Sequence, residues 1–131
     1  MIGYALEIIL CRQFAESISL PIFIIDTKGN LLFYNEPAES LLGLRYEDTG
    51  PMPVDVWSVK FKPTDARGRP LAAEKLPLVK TLETRKPATG TFWIESLSGP
   101  RHFLEVHSYP IIDRKDSYLG AMALFWQSEA E

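Results

Sequence analysis

The run LGAMALFW, Leu119 to Trp126, contains no charged residue. It belongs to a longer β-type stretch, YLGAMALFWQ, and a strand that is apolar at both parities has to be covered on both faces. A chain of 131 residues forms one domain that buries about two-thirds of its unfolded surface. The sheet containing this strand therefore needs a layer on each side. One layer is available at the N-terminus. From Ile2 to about Ser17 the apolar positions are Ile2, Tyr4, Ala5, Leu6, Ile8, Ile9, Leu10, Cys11 and Phe14, and neither Gly nor Pro follows Gly3, which predicts a helix. Its apolar arc is wider than the single stripe of a surface helix. A helix wholly buried in its own domain would explain that. So would one that lies on its own sheet by one face and meets a second chain by the other. The second reading is adopted here, with Ile2, Leu6, Ile9 and Gln13 as the positions expected at a homodimer interface.

Next comes a compact signal, IIDTKGNLLFYNEPAESLLG, Ile24 to Gly43. PIFIID and LLFYN are β-rich runs joined by Thr27-Lys28-Gly29-Asn30, a hairpin in which Gly29 is free to take a positive φ. Pairing Asp26 with Leu31 would place Ile22, Ile24, Leu31, Phe33 and Asn35 on one face. Asn35 then caps a short helix with Pro37 in its first turn, and Gly43 ends it. From Arg45 to Pro70 turn residues dominate, interrupted by VDVWSVKF, whose alternation of Val54, Val56 and Ser58 against Asp55, Trp57 and Val59 predicts a short strand. LAAEKLPLVKTLETRK places Leu71, Leu78, Val79 and Leu82 at helical spacing, with Pro77 in the first turn. The last forty residues read as three strands, TGTFWIESL, HFLEVHSYPII and YLGAMALFWQ, turning at Ser98-Gly99-Pro100 and at Asp113-Arg114-Lys115-Asp116.

The expected class is thus α+β: a five-stranded antiparallel sheet, short helices from the middle of the chain on one face, and the N-terminal helix (1–17) over the other, with the main domain at 18–128. The order and residues resemble those of the PAS sensor domain. The resemblance lies in Ile24-Ile25-Asp26, Gly29, Leu31-Leu32-Phe33, Asn35, Ala38 and Leu41-Leu42-Gly43. It continues in DARGRPLAAEKLPLVKTL, similar to a segment of many bacterial sensor-kinase PAS domains, and in RHFLEVHSYPIID followed by LGAMALFW. Asp26, Gly29, Asn35 and Gly43 are the structural motif positions. PAS domains in signalling chains usually continue into Asp-Ile-Thr or Asp-Val-Thr, and Gln127, Ser128 and Glu129 stand there instead. The sequence is either a fragment of a larger signalling chain or a stand-alone domain that signals through partner contacts, and the second is the expectation.

Catalytic and cofactor signatures are sparse. His102 and His107, five apart on one strand, point to opposite faces and cannot jointly hold a metal. Haem-binding relatives usually present a histidine from the helix before the last three strands, and AAEKLPLVKTLETRK has none. The Asn-Cys-Arg-Phe-like motif of flavin-photoadduct relatives is missing, and Cys11 reads as a small buried hydrophobe. No phosphate loop, Cys-x-x-Cys or Gly-x-Ser-x-Gly occurs. Glu95 and Glu105 could face each other across a hairpin, though solvated strand carboxylates are the plainer reading. The expectation is no enzyme, no metal and neither haem nor flavin, with a purely structural interaction domain as the alternative and a haem-binding sensor as a more distant one. A net charge of −3 with scattered basic residues gives no nucleic-acid footprint. The N-terminal apolar stretch is too short to span a bilayer and lacks signal-peptide flanks, so a cytoplasmic location without membrane contact is expected. The lone cysteine suits that reducing compartment.

What the resemblance leaves is a space between sheet and short helices. Ile22, Ile24, Phe33, Leu42, Trp57, Leu78, Leu82, Ile94, Met122 and Leu124 are the candidate lining, all without charge, which suits a small apolar ligand. The same residues could instead fill a solid core.

Overall fold

The computed structural model describes residues 5–97 and 99–128. Elements run α1 (Leu6–Ser17), β1 (Ile22–Asp26), β2 (Leu31–Tyr34), α2 (Glu36–Leu42), α3 (Tyr46–Thr49), α4 (Val54–Lys60), a 3-10 turn (Ala73–Lys75), α5 (Pro77–Thr84), β3 (Ala88–Glu95), β4 (Arg101–Ile112) and β5 (Tyr118–Gln127). The five strands form one antiparallel sheet in the order β2-β1-β5-β4-β3, so β5, the charge-free run, lies at its centre. On the inner face Ala121, Ala123 and Phe125 join the main core beneath α2, α4 and α5. On the outer face Leu119, Met122 and Leu124 pack with Ile8, Ala15, Ile22, Ile24, Phe33 and Ile111, under α1. The two layers demanded by β5 are both present. Ile2 and the turn residue Ser98 lie outside the described residues, as does Glu129.

Local chemistry sets most boundaries. Asn35 caps α2 by accepting the Ala38 N–H at 3.2 Å, Pro37 occupies the first turn, and Gly43 closes the helix in the left-handed conformation. Pro77 opens α5. Gly29, at φ +87°, sits against α4 and α5: a Cβ there would come within 3.0 Å of Leu82 Cδ2 and 3.2 Å of Val54 Cβ. Its carbonyl accepts the buried Trp57 indole N–H at 2.8 Å, which ties α4 to the hairpin turn.

Two expectations are corrected. Asp26 does not pair with Leu31. Its carboxylate accepts the backbone N–H groups of Lys28 and Asn30, each at 2.9 Å, and its own N–H reaches the Asn30 carbonyl at 2.9 Å, so the turn closes at Asn30. Ile25 then opposes Leu31 and Ile24 opposes Phe33, with a register shift between them. The extra residue sends Leu31 to the inner face, apart from Ile22, Ile24 and Phe33. VDVWSVK is a helix, not a strand. Trp57, Ser58 and Phe61, spaced i, i+1, i+4, are buried while Val56 and Val59 are exposed, a periodicity of one helical face.

Candidate functional site

Between the inner face of the sheet and α2, α4 and α5 lies a cavity of about 70 Å³. Phe23 of β1, Ala123 and Phe125 of β5, Leu104 and Val106 of β4, and Phe92 and Ile94 of β3 form its floor. Leu42, Trp57, Ser58, Phe61, Pro63, Leu76, Pro77 and Leu78 form its roof and walls. Phe23 anchors the floor, meeting Phe125 edge to face at 5.2 Å and Trp57 at 6.4 Å. Among the described lining residues Ser58 carries the one hydroxyl, and it is buried, while the Trp57 indole N–H is used by the Gly29 carbonyl. Among the described residues no histidine, cysteine or carboxylate reaches this space.

Four of the ten residues expected to line a pocket do so: Leu42, Trp57, Leu78 and Ile94. Leu82 packs on the same core beside Gly29 without lining the cavity. Ile22, Ile24, Phe33, Met122 and Leu124 are brought together on the opposite face of the sheet, under α1. Phe23, Phe92, Leu104, Val106, Ala123 and Phe125 were missed. The alternation of the last five was visible in FWI, FLEV and ALF with only the parity undetermined, whereas Phe23 lies in IFIID, which is apolar at both parities.

Of the expected interface positions, Leu6, Ile9 and Gln13 are exposed on α1, while Ile8 and Ala15 face the sheet. Cys11 is half-buried on the sheet side, and burial, helped by the nearby Glu7 carboxylate, pushes its thiol pKa up. His107 accompanies Glu105 on the outer face, 2.9 Å apart, and His102 contacts Gln127 at 3.0 Å on the other side. Glu105 opposes Thr91 and Glu95 opposes Arg101, so the two carboxylates do not face each other. Among the described residues no group of three or more His, Cys, Asp or Glu is placed to hold a metal, and no helix is long and apolar enough to cross a membrane.

An antiparallel sheet in the order 2-1-5-4-3, with helices inserted between β2 and β3 that enclose a space on one face, defines the PAS class of α+β fold. Residues 12–75 match the family model described as PAS domain. A PAS domain from Colwellia psychrerythraea superposes with a TM-score of 0.65 at 18% identity, over 92% of this chain and 97% of that one. The PAS domain of Bordetella pertussis BvgS gives 0.63 at 12% identity, over 93% and 85%. The Rhodobacter sphaeroides LOV protein gives 0.71 at 8% identity, over 95% and 68%. No curated protein matches significantly. The chain has the PAS fold and carries PAS-domain sequence over residues 12–75.

Proposed function

We propose that this chain is a non-enzymatic sensory and signalling module that works as a homodimer through the outer side of α1 and takes a small apolar ligand in its inner cavity. The observation that carries the reading is the two-sided α1: one face completes the outer core, while Leu6, Ile9, Leu10 and Phe14 stay exposed on the other. Contiguous apolar surface of this kind marks a protein contact. Support for the ligand comes from the walls of the cavity, which are apolar apart from Ser58. A volume of about 70 Å³ sits well below the roughly 300–1,000 Å³ of common ligand sites, which supports a molecule of a few heavy atoms over a haem or flavin. The absence of the Asn-Cys-Arg-Phe motif from the sequence agrees with this. Output passes through contacts with a partner protein in the cytoplasm, without nucleic acid or membrane.

The packing of Phe23, Trp57 and Phe125 favours a second reading, a dimerisation module whose core is solid in function. Native mass spectrometry followed by denaturing extraction separates the two. A dimer carrying one small molecule per chain supports the sensor, a dimer of bare mass supports the second reading, and a bare monomer overturns both. Ile9→Glu is expected to give a folded monomer; an unchanged dimer would remove the interface from α1.

A further inference from the structure

Ser58 places a hydroxyl in a wall built of hydrocarbon. It stands on the buried side of α4 with Trp57 and Phe61 and is 2% exposed. A buried hydroxyl that makes no hydrogen bond is destabilising. Other polar side chains of the interior are bonded. Asn35 accepts from Ile22 and Ala38, Thr81 shares a hydrogen bond with Ser108, and Ser108 donates to the Pro77 carbonyl. Ser58 differs: no hydrogen bond joins its side chain to any described residue, and it lines the inner cavity.

The rest of the lining narrows what can meet that hydroxyl. The Trp57 indole N–H is already spent on the Gly29 carbonyl at 2.8 Å, so the described lining side chains offer one free polar group, Ser58 Oγ. An ordered water needs roughly two to four polar partners and is poorly held here. No described lining side chain carries a charge, and a carboxylate or ammonium buried without a partner is strongly disfavoured. Size sets a further limit. An apolar cavity of about 150 Å³ holds benzene, with its six heavy atoms, so one of about 70 Å³ holds roughly three or four. Of the serine hydroxyl's own groups, the proton is the single donor, and it is left without an acceptor.

We propose that the cavity takes a short-chain ketone, aldehyde or alcohol: a neutral molecule of roughly three or four heavy atoms whose one oxygen accepts a hydrogen bond from Ser58 Oγ. Its carbon atoms lie against the apolar walls, among them Phe23, Ile94 and Phe125. This assignment rests on the ligand reading above and deepens it by giving that ligand a single polar end.

The tryptophan indole N–H resonances test it. Trp57 lines the cavity, whereas Trp93 packs on Phe103 and Trp126 on His107, on the far face of the sheet. The protein is titrated with acetone and with acetate, which adds a charge, each to tens of millimolar. A third probe, 2-methylpropene, has the shape of acetone without the oxygen and is added up to its solubility. Acetone should shift the Trp57 signal to saturation and leave the other two in place. Ser58→Ala removes an unbonded hydroxyl from a helix and should fold, as circular dichroism will check. It should weaken acetone at least about fivefold and 2-methylpropene by no more than about twofold. Ala123→Val, which narrows the floor, should remove the response to both. An effect of Ser58→Ala that is equal for the two probes, or saturation by 2-methylpropene alone, would overturn the polar anchor and keep the apolar-ligand reading. Acetate binding as tightly as acetone would overturn the neutral class. A Trp57 signal that no probe moves, or equal shifts at all three tryptophans, would overturn this assignment and the ligand reading together.

Discussion

Asn35 uses every hydrogen-bonding position of its carboxamide. Oδ1 accepts the N–H groups of Ile22 at 3.0 Å and Ala38 at 3.2 Å, while Nδ2 donates to the carbonyls of Ala15 and Leu20, both at 2.8 Å. One side chain, 2% exposed, thereby joins β1, α2, the end of α1 and the linker between α1 and β1. Removing it strands backbone groups where water does not reach, and each such group costs about 1–3 kcal/mol. Asn35→Ala should therefore destabilise by about 3–5 kcal/mol in urea unfolding. Asn35→Asp should fare little better at neutral pH: it keeps the two acceptor contacts but turns a negative oxygen on two carbonyls. Tyr118 presents the opposite case. Its hydroxyl is buried with no hydrogen-bond partner among the described residues, while Arg85 stacks over its ring at 5.1 Å. Tyr118→Phe should be neutral or stabilise by up to about 1 kcal/mol. Burial raises the pKa of Tyr34 and of Tyr118 above the ordinary 10.0. Their neutral forms are thus favoured by folding, so stability is complete below pH 10.0 and falls as pH rises past it, where the unfolded chain ionises first. Urea midpoints measured between pH 9 and 11 should decline less steeply in Tyr118→Phe than in wild type.

At the scale of elements, α5 is fastened to the sheet by a buried hydroxyl pair. Thr81 Oγ1 and Ser108 Oγ lie 2.6 Å apart, and Ser108 also donates to the Pro77 carbonyl at 2.9 Å. Thr81→Val and Ser108→Ala should each cost about 1–2 kcal/mol, and the double variant about 1 kcal/mol less than their sum, because the second change removes a partner already orphaned. Additive effects would show that the pair is not coupled. Elements whose signals are local were legible in the sequence: the hairpin turn, the Asn35 cap, the Gly43 stop, Pro77 and the three closing strands. Each depends on residues within a few positions of one another. The faces of β1 and β2 were not legible. IFIID is apolar at both parities, so periodicity could not say whether Ile24 or Ile25 points inward, and the register shift follows from how Asp26 organises its turn. Helix α4 was misread because seven residues fit either period; the spacing of Trp57 and Phe61, four apart, was the clue. The candidate cavity inherited the wrong parity from the hairpin, which is why Ile22, Ile24 and Phe33 lie under α1.

For the whole molecule, the question is whether the inner cavity is working space or residual void. Ala123 sits at the middle of β5, opposite Phe23 on one side and Ser108 on the other, and forms part of the cavity floor. Enlarging it to valine projects two methyl groups into the space. In a core without room, overpacking of this kind costs about 1–3 kcal/mol. Where a cavity of about 70 Å³ is available, the gain in contacts offsets the crowding. Ala123→Val should accordingly keep its unfolding free energy within about 1 kcal/mol of wild type. It should also lose any small molecule recovered by denaturing extraction, while the oligomeric state stays that of wild type. A stable Ala123→Val that still carries the molecule would place ligand binding elsewhere. A variant that loses more than about 3 kcal/mol would show that the floor is already full.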